Sequence, residues 1–210
     1  MQDIVKQGQN KNLTKLNLNY DGVKDGDEQA ENYLKIVNEK IGFIPNVLAA
    51  FAKFPKQFEG FTKLYNALML GESGLTKLER EMIAVTVSSE NHCFYCLVAH
   101  GAAVRELSND PQLGERLAAN FRSAELPKKQ ETLLNFSKKL TRDPSEITEN
   151  DRSDLRKAGY TDRDIWDISA IIGLFNMTNR LALATEMEPN DNYCLLYTSD
   201  AADDTPCVDL

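Results

Sequence analysis

Residues 88–103, SSENHCFYCLVAHGAA, gather two of the chain's four cysteines and both of its histidines. At about 100° per residue on a helix, Cys93 and Cys96 lie roughly 60° apart, and Cys96 and His100 roughly 40° apart. The three side chains share one narrow sector, and Cys96 and His100 are neighbours one turn apart. An imidazole beside a thiol can take its proton or stabilise the thiolate, which is the nucleophilic form of cysteine. The second sulfur can then close a disulfide across the C-x-x-C. A nucleophile, a base and a resolving thiol thus fit within one short segment.

Two effects compete over which sulfur attacks, and spacing leaves the choice open. An interruption at Ser88-Ser89-Glu90-Asn91 places Cys93 in the first turn of the next helix, where the dipole and free N–H groups favour a thiolate. His100 favours Cys96 instead. Glu81 precedes Cys93 by twelve residues, about 18 Å along one continuous helix. The same interruption lets the preceding helix fold back and bring the Glu81 carboxylate to His100. There it would orient the imidazole and raise its basicity.

Plainer readings apply to the neighbours. A lone buried cysteine is usually a small core residue, whereas the pair set with His100 and Glu81 reads as chemistry. Cys93, Cys96 and His100 could offer a metal three ligands, but a structural zinc site needs a fourth. His92 points about 100° away from Cys93 on a helix, and no second C-x-x-C exists. No metal site is expected. His92 reads as a solvated residue, Trp166 and the Phe58/Phe61 stripe as core, and Asn176, Asn179 and Arg180 as structural.

Helices must position these groups. Apolar spacing over residues 31–41 ends at Gly42, and a short helix opens near Pro45 and stops before Pro55. The run 56–70 follows and is broken by Gly71 and Gly74. Thr76-x-x-Glu79 is a capping box opening the next helix. CFYCLVAHGAAVREL resumes after the interruption, Asp110-Pro111 starts another helix, and Pro127 to Asp143 bounds a further one. Ser145 starts the next, which stops at Gly159, and Thr161-x-x-Asp164 opens a long final helix through Met187. No run reads as a hairpin-bounded strand, so the fold is predicted all-α. An offset of 85 residues places Thr76 on Thr161, Ile83 on Ile168 and Asn91 on Asn176, a faint internal repeat.

Composition bounds the function classes. The chain has 210 residues, 42% hydrophobic and 27% charged, enough for one domain with a real core. A net charge of −8 with scattered Lys and Arg argues against nucleic acid or an anionic membrane as partner. No apolar run approaches the roughly 20 residues of a membrane span. The first segment has no apolar signal core, so a cytoplasmic location is expected. In a reducing compartment a C-x-x-C reads as redox or metal chemistry.

Glu81, eleven residues, then Cys93-x-x-Cys96-x-x-x-His100 resembles the active-site signature of the alkylhydroperoxidase D-like (AhpD-like) branch of the carboxymuconolactone decarboxylase superfamily. GFIPNVLAAFAKFP, the stretch 73–100 and FNMTNRLALATEMEPND are similar to its peroxidase-related members, over residues 35–193 or so. The resemblance implies an all-α AhpD-like bundle with an internal duplication, assembled as a homo-oligomer. It implies reduction of organic peroxides or hydrogen peroxide, with Cys96 attacking, Cys93 resolving, and Glu81 and His100 relaying the proton. It calls for no bound cofactor, only an external dithiol or thioredoxin-like reductant. Some relatives carry His where this chain has Tyr95. A thiol–disulfide oxidoreductase or redox sensor using the same pair is the alternative, followed by a decarboxylase-type activity, which would need a general acid or base rather than a dithiol.

Residues 1–193 are read as one domain, the first ~28 as a loose arm. Residues 194–210, CLLYTSDAADDTPCVDL, resemble a translated sequencing adapter and are set apart from the chemistry as a non-native or disordered tail, Cys194 and Cys207 included.

Overall fold

The computed structural model describes residues 13–17 and 27–193; the expected tail and nearly all of the expected arm lie outside them. Among the described residues, regular structure is helical throughout. Among the described residues no helix is long and apolar enough to cross a membrane. The described residues divide into two compact units, those up to Tyr65 with those from Ala182 onward, and residues 66–181.

The first unit holds α1 (Glu28–Ile41), α2 (Asn46–Phe51) and α3 (Pro55–Tyr65). Asp27 caps α1 by accepting from the Ala30 N–H, and Gly42 ends it with φ 81°, where a β-carbon would be strained. Phe58 and Phe61 are buried as expected, with Tyr33 edge-on to Phe58. The C-terminal segment is tied in by Asn190, which accepts from the Asn46 N–H at 2.7 Å and donates to the Ile44 carbonyl at 2.9 Å.

The second unit carries the chemistry. A π-helical turn at Asn66–Leu70 ends at Gly71, where a β-carbon would come within 2.4 Å of the Ala67 carbonyl oxygen. Buried Arg80 closes this corner by donating to the carbonyls of Leu68, Gly71 and Leu75. Helix α4 (Lys77–Glu90) opens on the expected capping box: Glu79 N–H donates to Thr76 Oγ1, and Thr76 N–H donates to Glu79 Oε2. The rest follow as α5 (Phe94–Ser108), α6 (Leu113–Asn120), α7 (Lys128–Arg142), α8 (Glu149–Lys157) and α9 (Asp162–Ala184). Helix α4 is central, packing on α5, α6 and α7, and Met82 to Val85 are without exposure.

Three boundaries differ from the sequence reading. Ser88, Ser89 and Glu90 belong to α4, and the break falls at Asn91–His92. Helix propagation costs little once started, so the chain turns only where His92 adopts φ 54°. Helix α6 starts at Leu113 because Asp110 spends its carboxylate on the Gln112 N–H in a turn. Helix α8 starts after Thr148, which pairs reciprocally with Asp151, and Pro144–Glu146 form a separate 3-10 turn.

Trp166 is a correction of another kind, being 72% exposed. Helix α9 turns Ile165, Ile168, Ile172 and Phe175 inward. That spacing of three and four puts Trp166 on the opposite side.

Candidate active site

The C-x-x-C sits where two helices meet at a tight turn. Cys93 is the N-cap of α5, and its N–H donates to the Ser88 carbonyl at 2.9 Å, locking the turn to the last residues of α4. Cys96 is the third residue of α5. Both thiols are free, with 1% and 3% exposure. Glu90 fastens the same corner to α7 through ion pairs with Lys138, at 2.9 Å, and Arg142.

The turn sends α5 back along α4, and Glu81 meets His100. The Glu81 Oε2 to His100 Nδ1 distance is 2.6 Å, with both side chains mostly covered. A carboxylate at Nδ1 makes that nitrogen a donor and leaves Nε2 as the base. Phe175 stands edge-on to the imidazole, with ring centroids 4.6 Å apart, and fixes its plane from α9. Arg80, next to Glu81 in the chain, is taken up by backbone carbonyls.

The two sulfurs differ. The Cys96 S–H is the main group that lowers Cys93, to about 7 from an ordinary 9.0. Burial opposes this, while the Cys96 N–H, positive charge on His100 and the Asn179 side chain add to it. Cys96 is pushed up, first because its proton is held against Cys93, then by burial and by the Cys93 charge. The resting charge is therefore best placed at the helix N-terminus, where free N–H groups and the dipole favour it. His100 thus acts on Cys93 as well, from one turn beyond Cys96.

Sequence reasoning left out a polar floor beneath the sulfurs. Asn179, fully buried on α9, donates to Ser88 Oγ, likewise buried, and lowers both thiols. The available signal was an Asn on the inward face of an otherwise apolar helix, three residues after Asn176. His92 is exposed. Phe94 is 64% exposed, whereas Tyr95 is buried between the cysteines. Among the described residues no three His, Cys, Asp or Glu side chains converge in a group that could hold a metal ion.

Comparisons with known proteins bear on the family and the fold. Residues 55–137 match the carboxymuconolactone decarboxylase family. An uncharacterized peroxidase-related protein from Silicibacter sp. TM1040 is 53% identical, over 89% of this chain and 97% of its own, with a TM-score of 0.83. The alkylhydroperoxidase AhpD core of an uncharacterized peroxidase-related protein from Ralstonia eutropha JMP134 is 36% identical. It covers 90% of this chain and 98% of its own, also with a TM-score of 0.83. The debrominase Bmp8 shares the fold at 17% identity and a TM-score of 0.70, covering 90% of this chain and 97% of its own. The search of curated proteins gave no match.

Proposed function

The chain belongs to the AhpD-like part of the carboxymuconolactone decarboxylase superfamily, and from that premise we propose that it is a dithiol peroxidase acting on organic peroxides or hydrogen peroxide. The observation that carries the reading is the 2.6 Å Glu81–His100 pair held beside a buried, reduced C-x-x-C. A base oriented by a carboxylate and set near two thiols is the arrangement an activated nucleophile requires.

In this reading a thiolate attacks a peroxide oxygen. The O–O bond breaks, sulfur is oxidised to a sulfenic acid, and the leaving alkoxide takes a proton to become an alcohol. The second thiol attacks the sulfenic sulfur, the S–S bond forms, and the hydroxyl leaves as water with a proton relayed by His100 and Glu81. An external dithiol then reduces the disulfide by exchange. Cys96 is the attacking sulfur that the family resemblance implies. The resting charge favours Cys93, so one proton passes from Cys96 to Cys93 across their hydrogen bond before attack.

The test uses the full chain with Cys194→Ser and Cys207→Ser, so that only Cys93 and Cys96 report. Reduced protein mixed with cumene hydroperoxide loses both thiols and forms an intramolecular disulfide. Sulfenic acid is trapped in Cys93→Ser and not in Cys96→Ser; the reverse pattern would exchange the two roles. No disulfide above the uncatalysed rate would end the peroxidase reading.

A further inference from the structure

We propose that Asn179 is a catalytic residue whose amide N–H donates to the Cys93–Cys96 dithiol, held in that orientation by a hydrogen-bond chain that begins at Arg180. The assignment deepens the dithiol reading above and rests on that pair being the reactive centre.

The chain fixes each amide in turn. Arg180 has only donors, and its Nη1 reaches Asn176 Oδ1 at 2.7 Å. The Asn176 amide nitrogen accordingly faces acceptors, the Ile172 carbonyl at 3.0 Å and Thr141 Oγ1 at 3.3 Å. Asn91 Nδ2 then donates both to Asn176 Oδ1, at 3.1 Å, and to Asn179 Oδ1, at 2.9 Å. Asn179 is left presenting Nδ2 on its other side. One of its protons goes to Ser88 Oγ at 3.1 Å. Ser88 can only accept there, because its own proton is given to the Ala84 carbonyl at 2.7 Å.

One Asn179 amide proton remains, and the amide lies at Ser88, whose carbonyl accepts from the Cys93 N–H at 2.9 Å; from that place it lowers both thiols. Asn179 and Ser88 have no exposure, so solvent does not supply a partner. Turning the Asn179 amide over would set its NH2 against the Asn91 NH2 and its oxygen against sulfur, which loses two hydrogen bonds in a buried site. A donor fixed in a low-dielectric pocket favours whichever sulfur carries the charge, and it needs no rearrangement when the charge moves between Cys93 and Cys96. Arg180, Asn176 and Asn91 are positioning residues in this scheme, since they act through Asn179.

The test is the pH titration of thiolate ultraviolet absorbance in the reduced full chain carrying Cys194→Ser and Cys207→Ser. Asn179→Ala moves the first thiol ionisation up by about one pH unit, a roughly tenfold smaller thiolate fraction on its acid side. Asn179→Asp moves it at least as far, because a carboxylate beside sulfur opposes its charge. Arg180→Ala, an exposed change at the far end, moves it upward by a smaller amount with an unaltered melting temperature. A folded Asn179→Ala protein that titrates like its parent overturns the assignment. Should Asn179→Ala fail to fold, Arg180→Ala and Asn176→Ala decide, and unchanged titration in both overturns it. Shifted titration in a protein that reduces no peroxide overturns the peroxidase reading and leaves Asn179 standing; peroxide reduction with unshifted titration does the opposite.

Discussion

Thr76 and Glu79 at the start of α4, and Thr161 and Asp164 at the start of α9, make the same reciprocal pair of bonds. Each helix then buries an isoleucine, Ile83 and Ile168, and each arrives at an asparagine, Asn91 and Asn176, whose side chains touch at 3.1 Å. Beyond that point they part. Helix α4 stops at Glu90, and the chain turns through His92 into the cysteines. Helix α9 continues to Ala184 and carries buried Asn179 three residues after Asn176. The broken helix leads into the two cysteines and brings Glu81 to His100, while the continuous helix carries Asn179 and the Phe175 ring. A break is needed to bring Glu81 and His100 together from either side of a turn. An unbroken helix suits a group that has only to hold still.

This contrast can be broken experimentally. The largest effect is expected at the helix break: Cys96→Ser or Cys93→Ser lowers peroxide-driven intramolecular disulfide formation by more than about a hundredfold, measured as the disulfide mass after rapid quench, since neither serine can complete the disulfide. His100→Ala follows, with about a hundredfold loss in the same assay, and Glu81→Gln costs about tenfold. The double variant is expected to be little worse than His100→Ala, because Glu81 acts through the imidazole. Near-additive losses would show Glu81 working independently.

A pH profile sharpens the assignment of charge. Cys93 is an acid lowered from 9.0 to about 7, so its thiolate is present above that value and lost below it. The rate of iodoacetamide labelling of reduced protein should therefore rise through about pH 7 and level off at higher pH. His100→Ala removes a favourable charge and should move the rise to higher pH. The smallest effects concern the shared start. Thr76→Ala and Thr161→Ala each cost about 1 kcal/mol in urea unfolding. Thr76→Ala should cost slightly more, because Glu79 is also bound to the buried Tyr160 hydroxyl, at 2.8 Å. A larger loss at Thr161 would separate the two starts.

Local chemistry made much of this legible from residue order alone. The capping boxes, Gly42 and Gly159 each act within a turn of their own position, and the helices they bound lie where expected. The C-x-x-C and His100 are one helix segment, so their proximity follows from helical pitch. The helix break was placed too early because Ser88, Ser89 and Asn91 look like loop residues, whereas Ser88 is inside α4 and donates to Ala84 four residues back. Trp166 looked like core because size alone suggests burial, and only the packed face of α9 shows otherwise.

The sequence by itself determined the helical class, the helix starts marked by Thr76 and Thr161, and the grouping of two thiols with an imidazole, since all of these are set by interactions a few residues apart. Tertiary structure decided the rest. It set Glu81 against His100, lowered Cys93 and raised Cys96, and brought Asn179 to Ser88, 91 residues earlier in the chain. Those outcomes depend on which buried donors meet which acceptors when separate helices pack, and helical spacing carries no record of that pairing.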